Sequence, residues 1–316
     1  MAQKTIFLTG AAGFIGMHTA LQLKARGDVV IGFDNFCSYY NPSLKRDRAK
    51  ILKDNGIHIY EGDLTDSCAL QKRASGATHI LHLAAQAGVR YSIENPKAYV
   101  DANLVGFSNI LELARLFNLP LVYASSSSVY GANIKLPFSV EDPTDKPINF
   151  YGATKKANEL MAYSYHHLYG LPCTGLRFFT VYGPWGRPDM ACYSFTKAII
   201  EQVPIKLYNM GKMKRDFTYI DDIVAGTLGA LDYMGGARIY NLGNHKSEEL
   251  LYFIDILEKS VGKRALIEKL PMQMGEMRET FADIEPAKKE LGFLPRISLA
   301  EGLPLFVKWY KEYHSA

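Results

Sequence analysis

Thr5-Ile6-Phe7-Leu8-Thr9-Gly10-Ala11-Ala12-Gly13-Phe14-Ile15-Gly16 is the stretch on which the reading of the chain turns. Lys4 to Thr9 is an apolar run of strand length, and three glycines at three-residue spacing follow at once. Phe14 to Arg26 carries a helical pattern, with Gly27 placed as its C-terminal cap. Val29 to Phe33 is a second apolar run, closed by Asp34. In the order strand, glycine loop, helix, strand, acid, the glycines let backbone N–H groups and a helix N-terminus approach a pyrophosphate. A carboxylate at the tip of the second strand accepts hydrogen bonds from an adenosine ribose and repels a 2′-phosphate, which favours NAD over NADP. The NAD-binding set expected here is Gly10, Gly13, Phe14, Ile15 and Gly16 on the loop, with Asp34 and Asn35 beyond the strand. The spacing is G-x-x-G-x-x-G rather than G-x-G-x-x-G, and a glycine-rich turn without a ligand is the competing reading.

The alternation continues downstream. His58 to Glu61 and His79 to Leu83 read as strands, the first followed by Asp63 and Leu64, the second leading through Leu83 into Ala84 and Ala85. Asp63 suits either a contact to an adenine amino group or a plain turn. Pro96 to Phe117 is helical in pattern, Leu121 to Ala124 is a fifth strand running into Ser125-Ser126-Ser127-Ser128, Asn149 to Tyr169 is a long helix, and Cys173 to Phe178 is a sixth strand. This predicts an α/β fold, a Rossmann-type doubly wound parallel sheet with ligands at the carboxyl ends of its strands. Gly10, Asp34, Asp63, Ala84 and Ser125 all fall at such ends. After Thr180 the pieces become shorter and less regular. The expected division is a Rossmann domain over 1–180, to which later segments near 216–242 are candidates to return, and a smaller substrate-binding lobe over 181–316.

Composition narrows the classes. A chain of 316 residues with 48% hydrophobic content has ample core for about two domains. A formal charge of +4, spread along the chain, suits a small anionic substrate and gives no argument for nucleic acid. Cys37, Cys68, Cys173 and Cys192 form no C-x-x-C pair and no metal-like spacing, so reduced thiols and no metal are expected. Met1 to Gly10 already reads as a strand and its turn rather than a signal segment, and no apolar run reaches membrane-span length; a soluble cytoplasmic protein is the expectation.

Tyr151-Gly152-Ala153-Thr154-Lys155 supplies candidate chemistry. Four positions on a helix put the two side chains on one face, about one turn apart. A phenol with a reference pKa of roughly 10 is a poor base at neutral pH, and a neighbouring ammonium favours the phenolate. Tyr151 is therefore the candidate general base and Lys155 its tuner, against the alternative of an ordinary helix face.

Taken together, the glycine spacing, Asp34, the serine run with Val129-Tyr130-Gly131, and Tyr151-x-x-x-Lys155 resemble the extended short-chain dehydrogenases/reductases, in which the three-residue glycine spacing is the expected form. The similarity runs over essentially the whole chain. Asp34-Asn35-Phe36 with Tyr39 and Tyr40, His82 through Arg90, and Pro184-Trp185-Gly186-Arg187-Pro188-Asp189-Met190 resemble the UDP-glucuronate 4-epimerase branch in particular. That resemblance implies tightly held NAD, a UDP-uronic acid substrate bound mainly by the 181–316 lobe, and a homodimer. It implies that Tyr151 takes the proton from the sugar O4 while C4 gives up hydride, that Ser126 aligns O4, that Lys155 also holds the nicotinamide ribose, and that Arg215 and Arg278 clamp the diphosphate. Arg90 joins the expected substrate contacts. Ser127, Ser128 and Thr180 offer neutral hydroxyls for the uronate carboxylate, with Arg187 as a charged neighbour; the alternative is that these hydroxyls cap local backbone.

Related chemistries are disfavoured by particular residues. A 4,6-dehydratase is expected to carry an Asp-Glu pair where Ser127 and Ser128 stand, and a UDP-glucuronate decarboxylase a Glu at 128. A UDP-glucose/UDP-galactose 4-epimerase, usually with Asn at position 180, is the alternative to set beside the uronate reading. A silent NAD-binding sensor is disfavoured because each expected catalytic position is filled.

Overall fold

Six strands and the turns between them build the framework in the computed structural model, which describes residues 3–233 and 235–315. β1 (Thr5–Thr9), β2 (Val29–Asp34), β3 (His58–Glu61), β4 (His79–His82), β5 (Leu121–Ser126) and β6 (Cys173–Phe178) are joined by a seventh strand, Ala237–Leu242. They pair in the order β3-β2-β1-β4-β5-β6 and then Ala237–Leu242, all parallel. The order reverses direction between β1 and β4, where a crevice opens at the carboxyl ends. Residues 1 and 2, with which the expected first strand was to begin, lie outside the described residues.

Both faces of the sheet are covered, which is why its strands are nearly continuous apolar runs. Successive side chains alternate sides: Ile6 and Leu8 enter one core, Phe7 the other. Val122 and Ala124 of β5 likewise separate from Leu121 and Tyr123.

α1 (Phe14–Ala25) follows the glycine loop, and α2 (Ser43–Asp54) crosses between β2 and β3. The expected helix over Pro96–Phe117 is present but not uniform, because a π-helical turn over Val100–Val105 separates its ends. Such turns concentrate at functional sites. Here the widened turn presents Asn103, whose amide accepts from Gln86 N (2.8 Å) and donates to Gln86 O (3.0 Å) and Thr154 Oγ1 (3.0 Å). The loop after β4 is thereby fastened to the helix that carries Tyr151.

Beyond Thr180 the chain is more regular than its sequence suggests. Helices span Ala191–Glu201, Ile220–Asp232, Leu250–Val261 and Leu299–His314. Their apolar faces enter the same core as α1, so irregular composition marks the connecting loops rather than the elements. No described helix is long and apolar enough to cross a membrane.

Candidate active site

The glycine loop is shaped by contacts that a side chain would break. Gly10 sits at φ +72°, and a Cβ there would lie 2.6 Å from Ala84 N; one at Gly16 would lie 2.0 Å from Gly10 O. α1 starts at Phe14 with Gly13 as its N-cap and no side-chain cap, so its first N–H groups are left for an incoming anion. Asp34 closes the arrangement: Oδ2 accepts from Ala12 N (3.0 Å) and Oδ1 from Phe36 N (2.8 Å). Burial pushes this carboxyl up, while those N–H groups and the charges of Lys45 and Arg48 pull it back. Asp63 accepts from Thr65 N (2.9 Å) and Thr65 Oγ1 (2.8 Å) with one oxygen and from Asn35 Nδ2 (2.8 Å) with the other. Leu64 is buried and Leu83 N donates to Thr9 O (3.1 Å), which carries Ala84 and Ala85 alongside the loop. A tight glycine loop, open helix N–H groups and an acid at the tip of β2 fit a dinucleotide.

Tyr151 lies in the first turn of the Phe150–Tyr169 helix. Asn149 caps that helix by accepting from Gly152 N (2.7 Å), and its amide donates to Gly275 O (3.1 Å), tying the Tyr151 turn to the 275 loop. Burial pushes the Tyr151 phenol up, whereas the Ser126 hydroxyl and the charge of Arg187 pull it down. Lys155 is buried, with Nζ donating to Ala124 O at 2.9 Å. Its pKa falls to about 8, chiefly through burial, against an opposing pull from Glu159. The charge of Arg187 therefore also favours the Tyr151 phenolate, a contribution that sequence spacing did not assign. Spacing fixes which face two residues share but not where a long side chain ends.

The expected substrate groups fall around the ends of β5 and β6. These strands pair with Ser126 opposite Phe178, so Ser127 and Ser128 and, across from them, Thr180 continue from neighbouring strand ends. Ser126 Oγ accepts from Ser128 N (3.1 Å); the hydroxyls of Ser127, Ser128 and Thr180 carry no hydrogen bond to another described residue, so they are not spent on local caps. Arg187 Nε donates to Asp189 Oδ1 (3.0 Å), and its Nη2 to Asp189 Oδ2. Arg215 and Arg278 come together through backbone: Lys214 N donates to Arg278 O (3.0 Å), and Arg215 Nη1 to the same carbonyl (3.3 Å). Arg215 Nη2 is also paired with Glu276 (3.2 Å), and the Arg278 side chain is exposed. Arg90 stacks 4.7 Å above the Tyr208 ring.

Residues 6–243 match the NAD dependent epimerase/dehydratase family. The chain belongs to that family. Among curated relatives, UDP-glucuronate 4-epimerase 4 of Arabidopsis thaliana is 50% identical over 98% of this chain and 76% of its own. The crystal structure of UDP-glucuronic acid 4-epimerase from Bacillus cereus, in complex with UDP-glucuronic acid and NAD, superposes with a TM-score of 0.93 at 34% identity, covering 98% of this chain and 99% of that one. A UDP-glucose 4-epimerase from Thermotoga maritima, solved with UDP-glucose, gives a TM-score of 0.87 at 29% identity over 98% and 99% of the two chains.

This member of the epimerase/dehydratase family holds its site with buried polar groups that sequence reading did not assign. Glu159 and Arg177 form a buried bidentate pair (Nε–Oε1 2.8 Å, Nη2–Oε2 2.9 Å). Ser125 Oγ donates to Glu159 (2.7 Å), and Arg177 Nη1 to Tyr130 OH (2.9 Å). Tyr130 OH in turn donates to Asn241 Oδ1 (2.7 Å), and Asn241 Nδ2 to the carbonyls of Phe138 (2.8 Å) and Asp283 (3.0 Å). One chain of hydrogen bonds therefore runs from the serine strand to the 283 segment. Asp216 is a second hub: fully buried, it accepts from Ala282 N (3.0 Å) and Thr218 Oγ1 (3.2 Å), and burial raises its pKa to about 6. Tyr39 OH donates to Asp189 (3.2 Å) and so joins the Arg187 pair. Glu159, Arg177, Ser125 and Tyr130 sit in stretches quoted above, but a buried pair is recognisable only when its partner is known.

Proposed function

We infer that the protein is an NAD-dependent UDP-glucuronate 4-epimerase that interconverts UDP-glucuronate and UDP-galacturonate through a 4-keto sugar. The observation that carries this reading is the set of unspent hydroxyls of Ser127, Ser128 and Thr180 at the ends of β5 and β6, beside Ser126 and Tyr151.

NAD, when bound, supplies reversible hydride acceptance at the sugar C4. Tyr151 holds the O4 proton: as phenolate it takes that proton while the alcohol becomes a ketone, and it returns a proton when the alcohol is re-formed with inverted configuration. Ser126 aligns O4 against the phenol. Lys155 would hold the nicotinamide ribose and contributes a buried positive charge, and Arg215 and Arg278 would meet the diphosphate.

Oxidation at C4 creates a ketone β to the C5 carboxylate, and a β-keto acid loses carbon dioxide readily when its carboxylate bond stands perpendicular to the carbonyl plane. The enzyme must hold that carboxylate with donors and away from the perpendicular. Ser127, Ser128 and Thr180 supply neutral donors, and Arg187 supplies charge. A carboxylate at position 128 would repel the group instead. Purified protein incubated with UDP-glucuronate and separated by chromatography should yield UDP-galacturonate with little UDP-pentose and far slower conversion of UDP-glucose. Preference for UDP-glucose would replace this reading with a neutral-sugar epimerase.

The protein acts in the cytoplasm as a homodimer. In support, all four cysteines are unpaired thiols, and two packed helices expose Leu116 and Phe117 on one and Leu160, Tyr163 and Leu168 on the other. Leu160→Glu with Tyr163→Glu should give a monomer in sedimentation equilibrium; an unchanged mass would remove this assignment.

A further inference from the structure

Arg48 lies on α2, where Arg46, Lys50 and Lys53 face solvent, yet it is 0% exposed. Its neighbour Arg46 shows the ordinary outcome, an exposed pair with Glu61. Arg48 makes no ion pair with any described residue, and its Nε has no hydrogen-bond partner among the described residues. Burying a guanidinium without a paired carboxylate is costly, and the buried Asp34 is an anion that its charge reaches only at a distance. Something the arginine does must outweigh that cost.

Its two Nη groups reach two segments far apart in sequence. Nη1 donates to Ala12 O in the glycine loop (3.2 Å) and to Tyr40 OH (2.9 Å). Nη2 donates to Trp185 O (2.5 Å) and Gly186 O (3.3 Å). The second segment is strained: Trp185 stands at φ +63°, a left-handed conformation that a bulky residue keeps only when its surroundings over-determine it. Gly186 N closes the turn onto Gly183 O (3.1 Å), and His18 Nε2 bonds Pro184 O (2.9 Å). The Trp185 ring packs against Trp309 (5.3 Å) and Tyr313 (5.0 Å). Arg187 follows immediately, so the turn fixes where its guanidinium starts.

We propose that Arg48 is a positioning residue that locks the strained turn at 183–186 onto the glycine loop and so sets where Arg187 is presented to the substrate carboxylate. The proposal rests on the uronate reading of Arg187. It deepens that reading by making the cofactor loop and the carboxylate site one mechanical unit. Lysine cannot replace the arginine, because one Nζ cannot reach Ala12 O and the two turn carbonyls together. A merely structural arginine would weaken all substrates alike; one acting through Arg187 weakens uronates more than neutral sugars, because only its effect on the Tyr151 base is shared by both.

The test uses the full chain with its NAD and four variants: Arg48→Lys, Tyr40→Phe, Arg187→Met and Arg48→Lys with Arg187→Met. Arg48→Lys should lower kcat/KM for UDP-glucuronate by about tenfold to a hundredfold, as for loss of one charged contact, and lower residual UDP-glucose turnover clearly less, since that reaction shares only the Tyr151 base and the cofactor loop. In the Arg187→Met background it should add no further selective loss. The chain has two tryptophans, Trp185 and Trp309, so tryptophan emission reads the turn directly and should shift to longer wavelength in Arg48→Lys. Equal losses on both substrates, a full additional loss in the Arg187→Met background, or an unchanged emission spectrum would overturn the proposal. If Arg48→Lys does not fold, Tyr40→Phe decides by the same selective pattern, since it removes one of the arginine's acceptors and keeps the ring. A wild type inactive on UDP-glucuronate overturns the functional reading and this proposal with it; a wild type that is active, with unselective variants, overturns this proposal alone.

Discussion

Asp189 grips Arg187 with both carboxylate oxygens, and Tyr39 OH donates to Oδ2, the oxygen that also accepts from Arg187 Nη2. The guanidinium is thus aimed and partly neutralised before any substrate arrives. Arg187 is also a charge that lowers the Tyr151 pKa, against burial, which raises it. Since the phenolate is the working base, a higher Tyr151 pKa moves the rising limb of the rate profile to higher pH. Arg187→Met should therefore shift that limb upward, and Asp189→Asn, which removes the offsetting anion, should shift it downward. The pH dependence of kcat/KM for UDP-glucuronate checks both; shifts of the same sign would refute the arrangement.

Tyr151→Phe should cut turnover by at least about a hundredfold, the low end of a general-base contribution. NAD should remain bound, because the phenol ring packs at 6.0 Å from Tyr99 without needing its hydroxyl. Lys155→Met should lose both turnover and bound NAD. The ratio of absorbance at 260 and 280 nm after gel filtration, read beside the rate, separates the two variants.

Thr180→Ala and Ser128→Ala each remove a hydroxyl that is not engaged with the protein. Losing one donor to a charged group costs roughly 1.5–3 kcal/mol. The loss should appear in the uronate reaction and much less in any residual UDP-glucose reaction. Equal losses on the two substrates would place these hydroxyls outside the carboxylate site.

Arg177→Met should destabilise the fold by about 3–5 kcal/mol, because it strands Glu159 in the interior. Adding Glu159→Leu should recover part of that, which urea unfolding of the single and double variants measures. Burial alone would raise the Glu159 carboxyl, but Arg177, Ser125 and Lys156 outweigh it and hold it below its ordinary value of 4.5. The pair's contribution is therefore complete above about pH 4.5 and is lost as pH falls through the lower folded value. Wild-type stability should drop on acidification in that window more steeply than stability of the double variant.

The sequence by itself determined the parts that depend on local order. Glycines after a strand, Asp34 after the next, and the alternation of apolar runs with helical patterns specify a parallel sheet with its ligands at one edge, and β3 and β6 begin and end where the pattern places them. The four-residue separation of Tyr151 and Lys155 put both on one helix face. Tertiary structure decided the rest, because each remaining feature depends on which distant segments meet. Arg48 looks like one more surface cation on α2 until the turn at 183–186 arrives over it. Glu159 and Arg177 become a pair only when the Phe150–Tyr169 helix lies across β6. Lys155 Nζ is held on the Ala124 carbonyl and Arg187 adds its charge to Tyr151, since a long side chain goes where burial and a free carbonyl take it rather than where its Cα points. Pattern within one element is written in neighbouring residues; contact between elements is written only in the packed chain.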